Sequence, residues 1–344
     1  MRLKSLALFL VLAIHSLHSL LFAVESTPLK KPSLPAGVVA EWDVPYIPNG
    51  DNSQKLDIFM PEKPGDKPLP LLVWIHGGGW QGGSKNGPPA LSYTTDGYVT
   101  ASVEYRFSQK AVFPAQIQDC QAALRFLRAN AAKYHIDPDH VGVWGASAGG
   151  HLVALLGTSG GKNAFPKIGG NDDQSDRVQA VCDWFGPADF TTVMSQAAED
   201  KNAKNIFKFN SPSDPYSLLI GVPLNSDKAK TEAVSPVHFV SKDNPPFLIV
   251  HGTHDTLVPF AQSEELLAAL KKEGVEALLQ PMPNSGHGGG AFSKPAVSRL
   301  IKNFFDKNLK GKDAKIEQLP DAEVAVPPPP PPASKETPPT PKEK

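Results

Sequence analysis

The chain has 344 residues, of which 40% are hydrophobic and 20% charged, enough apolar material for one large buried core. Lys and Arg total 34 against 35 for Asp and Glu, so there is no basic field to hold nucleic acid, and none is expected as a partner. The two cysteines, Cys120 and Cys182, with no CxxC pair, exclude a disulfide framework and a cysteine-based zinc site; one bridge between them or two buried thiols both stay open.

In chain order, Arg2 and Lys4 precede the apolar stretch Leu6 to Leu12, which runs on to Leu21-Phe22-Ala23. This pattern predicts a secretory signal over residues 1–23, cleaved near Ala23, and hence a secreted or periplasmic protein. An uncleaved anchor is the competing reading, because no charge intervenes between Lys4 and Glu25; His15, Ser16, His18 and Ser19 weaken it. No later run is apolar for long enough to cross a bilayer, so no transmembrane segment is expected in the mature chain. Residues 24–37, rich in Pro, Lys and Ser, read as a linker, and the folded domain is expected over 38–310. From 311 to 344 the chain turns charged and proline-rich, with six consecutive prolines from Pro327, and reads as a disordered, extended tail.

Within the domain, apolar β-branched runs predict eight strands: Trp42 to Ile47, Lys55 to Met60, Leu71 to His76, Tyr98 to Tyr105, His140 to Gly145, Ala180 to Trp184, Phe247 to His251 and Ala277 to Met282. Helical patterns alternate with them over Ala115 to Asn130, Ala148 to Leu156, Gln262 to Glu273 and Ala296 to Leu309. That alternation predicts an α/β fold with a mostly parallel sheet covered by helices on both faces, the first strand pair antiparallel. The stretch 191–242 is too long for a plain loop and reads as a small insertion over the active site.

The strongest chemical signal is Gly145-Ala146-Ser147-Ala148-Gly149, placed between a predicted strand and a predicted helix. A serine on such a turn projects its hydroxyl outward, and small flanking residues avoid a clash. Its attack on a carbonyl needs a base and donors for the resulting oxyanion. The donors are expected from the amides of Gly78 and Gly79 in His76-Gly77-Gly78-Gly79-Trp80, together with that of Ala148. Among the ten histidines, chain order selects His287, just after the last strand; His76 is read as holding the glycine loop, and His151 and His251 as packing residues. The acid has two candidates, both following strands. Asp255 is preferred because its loop can neighbour that of His287, and Asp189 is read as a cap at the start of the insertion. Trp80 is a candidate substrate-binding residue or a core residue, and Arg106 with Asp119 forms either a structural ion pair or a substrate contact.

These four motifs, His76-Gly77-Gly78-Gly79-Trp80, Gly145-Ala146-Ser147-Ala148-Gly149-Gly150, His251-Gly252-Thr253-His254-Asp255 and Gly286-His287, jointly resemble the hormone-sensitive-lipase branch of the α/β-hydrolases. The likeness spans roughly Ala40 to Leu309 and is strongest to bacterial secreted esterases of the feruloyl and acetyl xylan esterase type. It implies a serine carboxylesterase with Ser147, Asp255 and His287 as catalytic residues, acting on small-molecule or polysaccharide esters without metal or other cofactor. The acid motif, continuing into Val258-Pro259, also looks like the prolyl-oligopeptidase-like hydrolases. Amidase or exopeptidase activity therefore stays open, as does a lipase-like preference for longer acyl chains; a non-catalytic adhesion role on the same fold is the remaining alternative.

Overall fold

Strands buried on both faces dictate the architecture. The computed structural model describes residues 31–202 and 204–326, and its main compact unit begins at Ser33. The predicted signal, residues 24–30 of the linker and residues 327–344 of the tail lie outside the described residues. In chain order the strands are β1 (Val38–Pro45), β2 (Lys55–Pro61), β3 (Leu69–Ile75), β4 (Val99–Val103), β5 (Ile136–Ala146), β6 (Ala180–Trp184), β7 (Phe247–Gly252) and β8 (Ala277–Met282). The helices are α1 (Ala115–Ala129), α2 (Ala131–Tyr134), α3 (Ala148–Ser159), α4 (Val193–Glu199), α5 (Pro215–Ile220), α6 (Lys228–Val234), α7 (Phe260–Lys272), α8 (Pro295–Lys310) and α9 (Asp321–Val324).

All eight strands join one sheet in the order β1-β2-β4-β3-β5-β6-β7-β8. β2 is antiparallel to both β1 and β4, and every other pairing is parallel. Parallel neighbours require a crossover, which is why helices separate the strands from β5 onward. Along β3, Leu71, Val73 and Ile75 enter one core with Ile117, Leu124 and Leu152. Leu72 and Trp74 enter the opposite core with Leu300, Ile301, Phe304 and Phe305 of α8. The period-two alternation thus feeds two cores at once, so a parallel strand reads as an unbroken apolar run. Gly142 lets α8 sit close to β5, since a Cβ there would lie 2.8 Å from Leu309 Cδ1. This is the α/β-hydrolase fold.

Several expected boundaries move. β1 begins at Val38, ahead of Trp42, because a bulge between Glu41 and Val44 breaks the alternation; Asp43 there has φ of 57° and its amide donates to Asp57 Oδ1 at 2.8 Å. The tail needs a larger correction. Residues 311–326, expected to be solvated, pack on the second core through Ile316, Leu319, Val324 and Val326, with Val324 fully buried. Leu319 N donates to Gln280 Oε1 at 2.6 Å and Gln318 Nε2 to Leu279 O at 2.7 Å, so this strap runs along the edge strand β8. Four apolar anchors spread thinly through a polar stretch give no periodic signal.

The insertion contains the three short helices α4, α5 and α6. Cys120 and Cys182 are buried free thiols on α1 and β6, in opposite cores. Arg106 Nη2 and Nε bond Asp119 at 2.8 Å, and Asp119 also accepts from Gln54 Nε2 at 2.7 Å, so this pair is structural. Among the described residues no helix is long and apolar enough to cross a membrane.

Candidate active site

Ser147 stands between β5 and α3 with φ 57° and ψ −121°, a conformation that a non-glycine residue adopts only under constraint. The constraint is visible: Ser147 N donates to Trp184 O at 2.8 Å, and Ser147 O accepts from His151 N at 2.9 Å. A Cβ at Gly145 would fall 2.3 Å from Gly149 O, and one at Gly149 would fall 2.1 Å from Ile75 O. The glycines flanking Ser147 are therefore sterically required, and the turn lifts the hydroxyl off the end of the sheet.

His287, on the loop after β8, brings Nε2 to 2.8 Å from Ser147 Oγ, and its Nδ1 lies 2.6 Å from Asp255 Oδ2. Because the carboxylate only accepts, Nδ1 carries the proton toward it and Nε2 is left as acceptor for the Ser147 hydroxyl. Asp255 Oδ1 accepts from Leu257 N at 2.8 Å and Val258 N at 3.0 Å. Burial opposes ionisation of this carboxyl, but hydrogen bonds from His251 and His287 outweigh it and hold it well below the usual carboxylate range. The histidine ring packs on Phe185, with centroids 4.5 Å apart.

His251, read from sequence as a packing residue, is part of this network. Its Nε2 lies 3.1 Å from both Asp255 Oδ2 and Val258 O, two acceptors, so Nε2 holds the proton; Nδ1 then accepts from Ser263 Oγ at 2.7 Å. The signal was present as the four-residue spacing from His251 to Asp255. Asp189, the other acid candidate, is spent on a local turn: Oδ1 accepts from Thr191 N at 2.7 Å and Thr191 Oγ1 at 2.6 Å.

After β3, Gly78, Gly79 and Trp80 take φ of 113°, 60° and 57°, and Gly78 O accepts from Gln81 N at 3.0 Å to close the turn. Gly78 and Gly79 line the same cavity as Ser147, while Ala148 opens α3 with a helix-end amide beside the hydroxyl. His76 supports the loop from behind: Nε2 pairs with Glu104 Oε1 at 3.0 Å, its carbonyl accepts from Tyr105 Oη at 3.1 Å, and its ring stacks on Tyr105.

The cavity measures about 520 Å³, and besides the glycines, Ser147 and His287 it is walled by Phe185, Phe207, Tyr216, Leu257 and Val258. Phe207 and Tyr216 come from the insertion. Trp80 lines the cavity while only 2% exposed and packed against Phe190 and Tyr216, so it is a core residue that also borders the site.

The sequence and the fold have counterparts among known proteins. The family model BD-FAE matches residues 56–270, more than half of the chain. The chain belongs to the BD-FAE family. It is similar to Esterase LipQ of Mycobacterium tuberculosis, at 30% identity over 75% of this chain and 58% of that protein. The chain spans about half the length of the curated relatives it matches. A solved truncated form of a carbohydrate esterase from gut microbiota superposes with a TM-score of 0.74 at 30% identity, covering 82% of this chain and 100% of that one. A bifunctional GH43-CE of Bacteroides eggerthii gives a TM-score of 0.70 at 31% identity, over 78% of this chain and 35% of that one. The resemblance to α/β-hydrolases read from the four motifs agrees with the family and the fold.

Proposed function

We propose that this chain is an exported serine carboxylesterase acting on short-acyl, carbohydrate-linked esters. The observation that carries the reading is the continuous hydrogen-bonded chain from Ser147 Oγ to His287 Nε2 at 2.8 Å and from His287 Nδ1 to Asp255 Oδ2 at 2.6 Å. In this reading His287 takes the Ser147 proton as the oxygen attacks the ester carbonyl, and the amides of Gly78, Gly79 and Ala148 receive the oxyanion. The alcohol departs with the proton from His287, leaving an acyl group on Ser147. Water activated by the same imidazole then releases the acid. Asp255 orients the ring and stabilises its cation without taking the proton.

The carbohydrate assignment is supported by the likeness to the gut carbohydrate esterase, which spans the whole of that chain. Export is supported by the signal-like pattern of residues 1–23. The apolar walls Phe207, Tyr216, Leu257 and Val258 favour a second reading, esterase action on longer acyl chains. Initial rates of the mature protein and of Ser147→Ala on p-nitrophenyl acetate, longer p-nitrophenyl esters, acetylated xylan and methyl ferulate test both. Loss of Ser147 should lower hydrolysis about 10⁶-fold. Preference for xylan or ferulate supports the first reading and preference for long chains the second; equal rates from the two proteins on every ester would overturn the mechanism.

A further inference from the structure

A second depression, of about 500 Å³, lies beside the catalytic cavity, and none of its lining side chains carries a charge. Two polar bridges join them. Gln109, in the groove, donates from Nε2 to the carbonyl of Gln81, in the cavity, at 3.0 Å. Ser211 Oγ, in the groove, lies 3.3 Å from Oγ of Ser213, in the cavity. The groove also touches the oxyanion loop through Ser108, whose amide donates to Trp80 O at 2.8 Å.

Ser108 shows what the groove is suited to. The residue is only 8% exposed, and its hydroxyl is buried with no hydrogen-bond partner. An orphaned buried hydroxyl is costly, and a ligand hydroxyl entering the groove would remove that cost. Next to it, Val112 is a large apolar side chain left 47% exposed, with Pro212 and Val222 completing an apolar strip. Uncharged hydroxyl and amide groups beside such a strip match a sugar ring, which has polar edges and apolar C–H faces. A phosphate or carboxylate ligand would find no cationic side chain in the lining.

We propose that this groove binds the neutral glycan flanking the sugar whose ester sits at Ser147, with Ser108 hydrogen-bonding a sugar hydroxyl and Val112 packing on a ring face. The inference rests on the carbohydrate-ester reading above. It is tested by kcat/KM on acetylated xylotetraose and on p-nitrophenyl acetate for the wild type, Ser108→Ala and Val112→Trp. Removing a hydroxyl without a protein partner leaves the fold intact, so Ser108→Ala is expected to lose about 3- to 10-fold on the tetraose through KM, and Val112→Trp, which fills the groove, about 10-fold or more. Neither variant should change p-nitrophenyl acetate hydrolysis. Equal losses on both esters, or none on the tetraose, would overturn the groove while leaving the carbohydrate reading standing. Wild-type protein active on p-nitrophenyl acetate but inert toward the tetraose would overturn both the groove and the carbohydrate reading. Inactivity on both esters would instead overturn ester hydrolysis itself.

Discussion

Trp80 Nε1 donates to His151 Nδ1 at 3.2 Å, joining the loop of Gly78 and Gly79 to the helix that begins one residue after Ser147. His151 Nε2 in turn lies 2.7 Å from Val234 O, at the end of α6 in the insertion. A carbonyl only accepts, so Nε2 is protonated and Nδ1 is free to receive the indole proton. One buried imidazole therefore holds the loop of Gly78 and Gly79, the helix after Ser147 and the insertion together.

Trp80→Phe keeps an aromatic ring but leaves His151 Nδ1 without its donor and opens space in the core. The expected loss is about 2–4 kcal/mol of stability, read from urea unfolding. In a double-mutant cycle with His151→Phe the two losses should be less than additive; strict additivity would mean that the bond contributes nothing.

Ser147→Ala and His287→Ala should each lower kcat about 10⁶-fold, and the double variant should be no worse, since the pair acts as a unit. Asp255→Asn is expected to cost about 10⁴-fold, because an amide would favour the wrong imidazole tautomer. An Asp189→Asn variant with a comparable loss of kcat would show that the acid had been assigned to the wrong residue.

Two buried groups give opposite pH dependences. Burial lowers the pKa of His151 to about 4, against a weaker opposing hydrogen bond to Val234, so between about pH 6.5 and 4 the unfolded chain binds the extra proton and stability falls with acid. Burial raises that of Asp183 to about 7, against one hydrogen bond from Gly186 N. Here the folded state keeps the proton between about pH 4 and 7, so this residue costs stability as pH rises through that window. Asp183→Asn removes the dependence: relative to wild type, its unfolding free energy should improve by a few kcal/mol from pH 4 to pH 8. A difference that stays constant with pH would contradict the assignment.

The strap also holds the histidine loop. Asn284 Nδ2 donates to Val326 O at 3.2 Å and Lys294 Nζ to Ala325 O at 2.7 Å, so bonds from the strap reach both ends of the segment carrying His287. Ending the chain after Lys312 removes these bonds and the buried Val324 side chain. The melting temperature is expected to fall by about 5–10 °C, with kcat reduced more than KM is raised. Unchanged melting and kcat would mean the strap is dispensable.

Much of the site was legible because its parts are local. Gly145 to Gly149 must form a strand, a sharp turn and a helix within a few residues, and steric exclusion at Gly145 and Gly149 leaves little else for that pattern to be. The strands of the parallel sheet were legible for the same kind of reason, since burial on both faces requires unbroken apolar runs such as Leu69–Ile75. What sequence could not decide depends on partners distant in the chain. Ser147 and His287 meet across 140 residues, and Asp255 prevails over Asp189 only because β7 and β8 pair and set their following loops side by side. The bond from His251 to Asp255, the bond from Trp80 to His151, and the seating of Val324 on a core built by β7, β8 and α8 carry no local periodic signal. The first two are fixed by which buried donors and acceptors the tertiary structure leaves close to one another, since a buried polar group without a partner is costly, and the third by the apolar surface that the fold leaves to be covered.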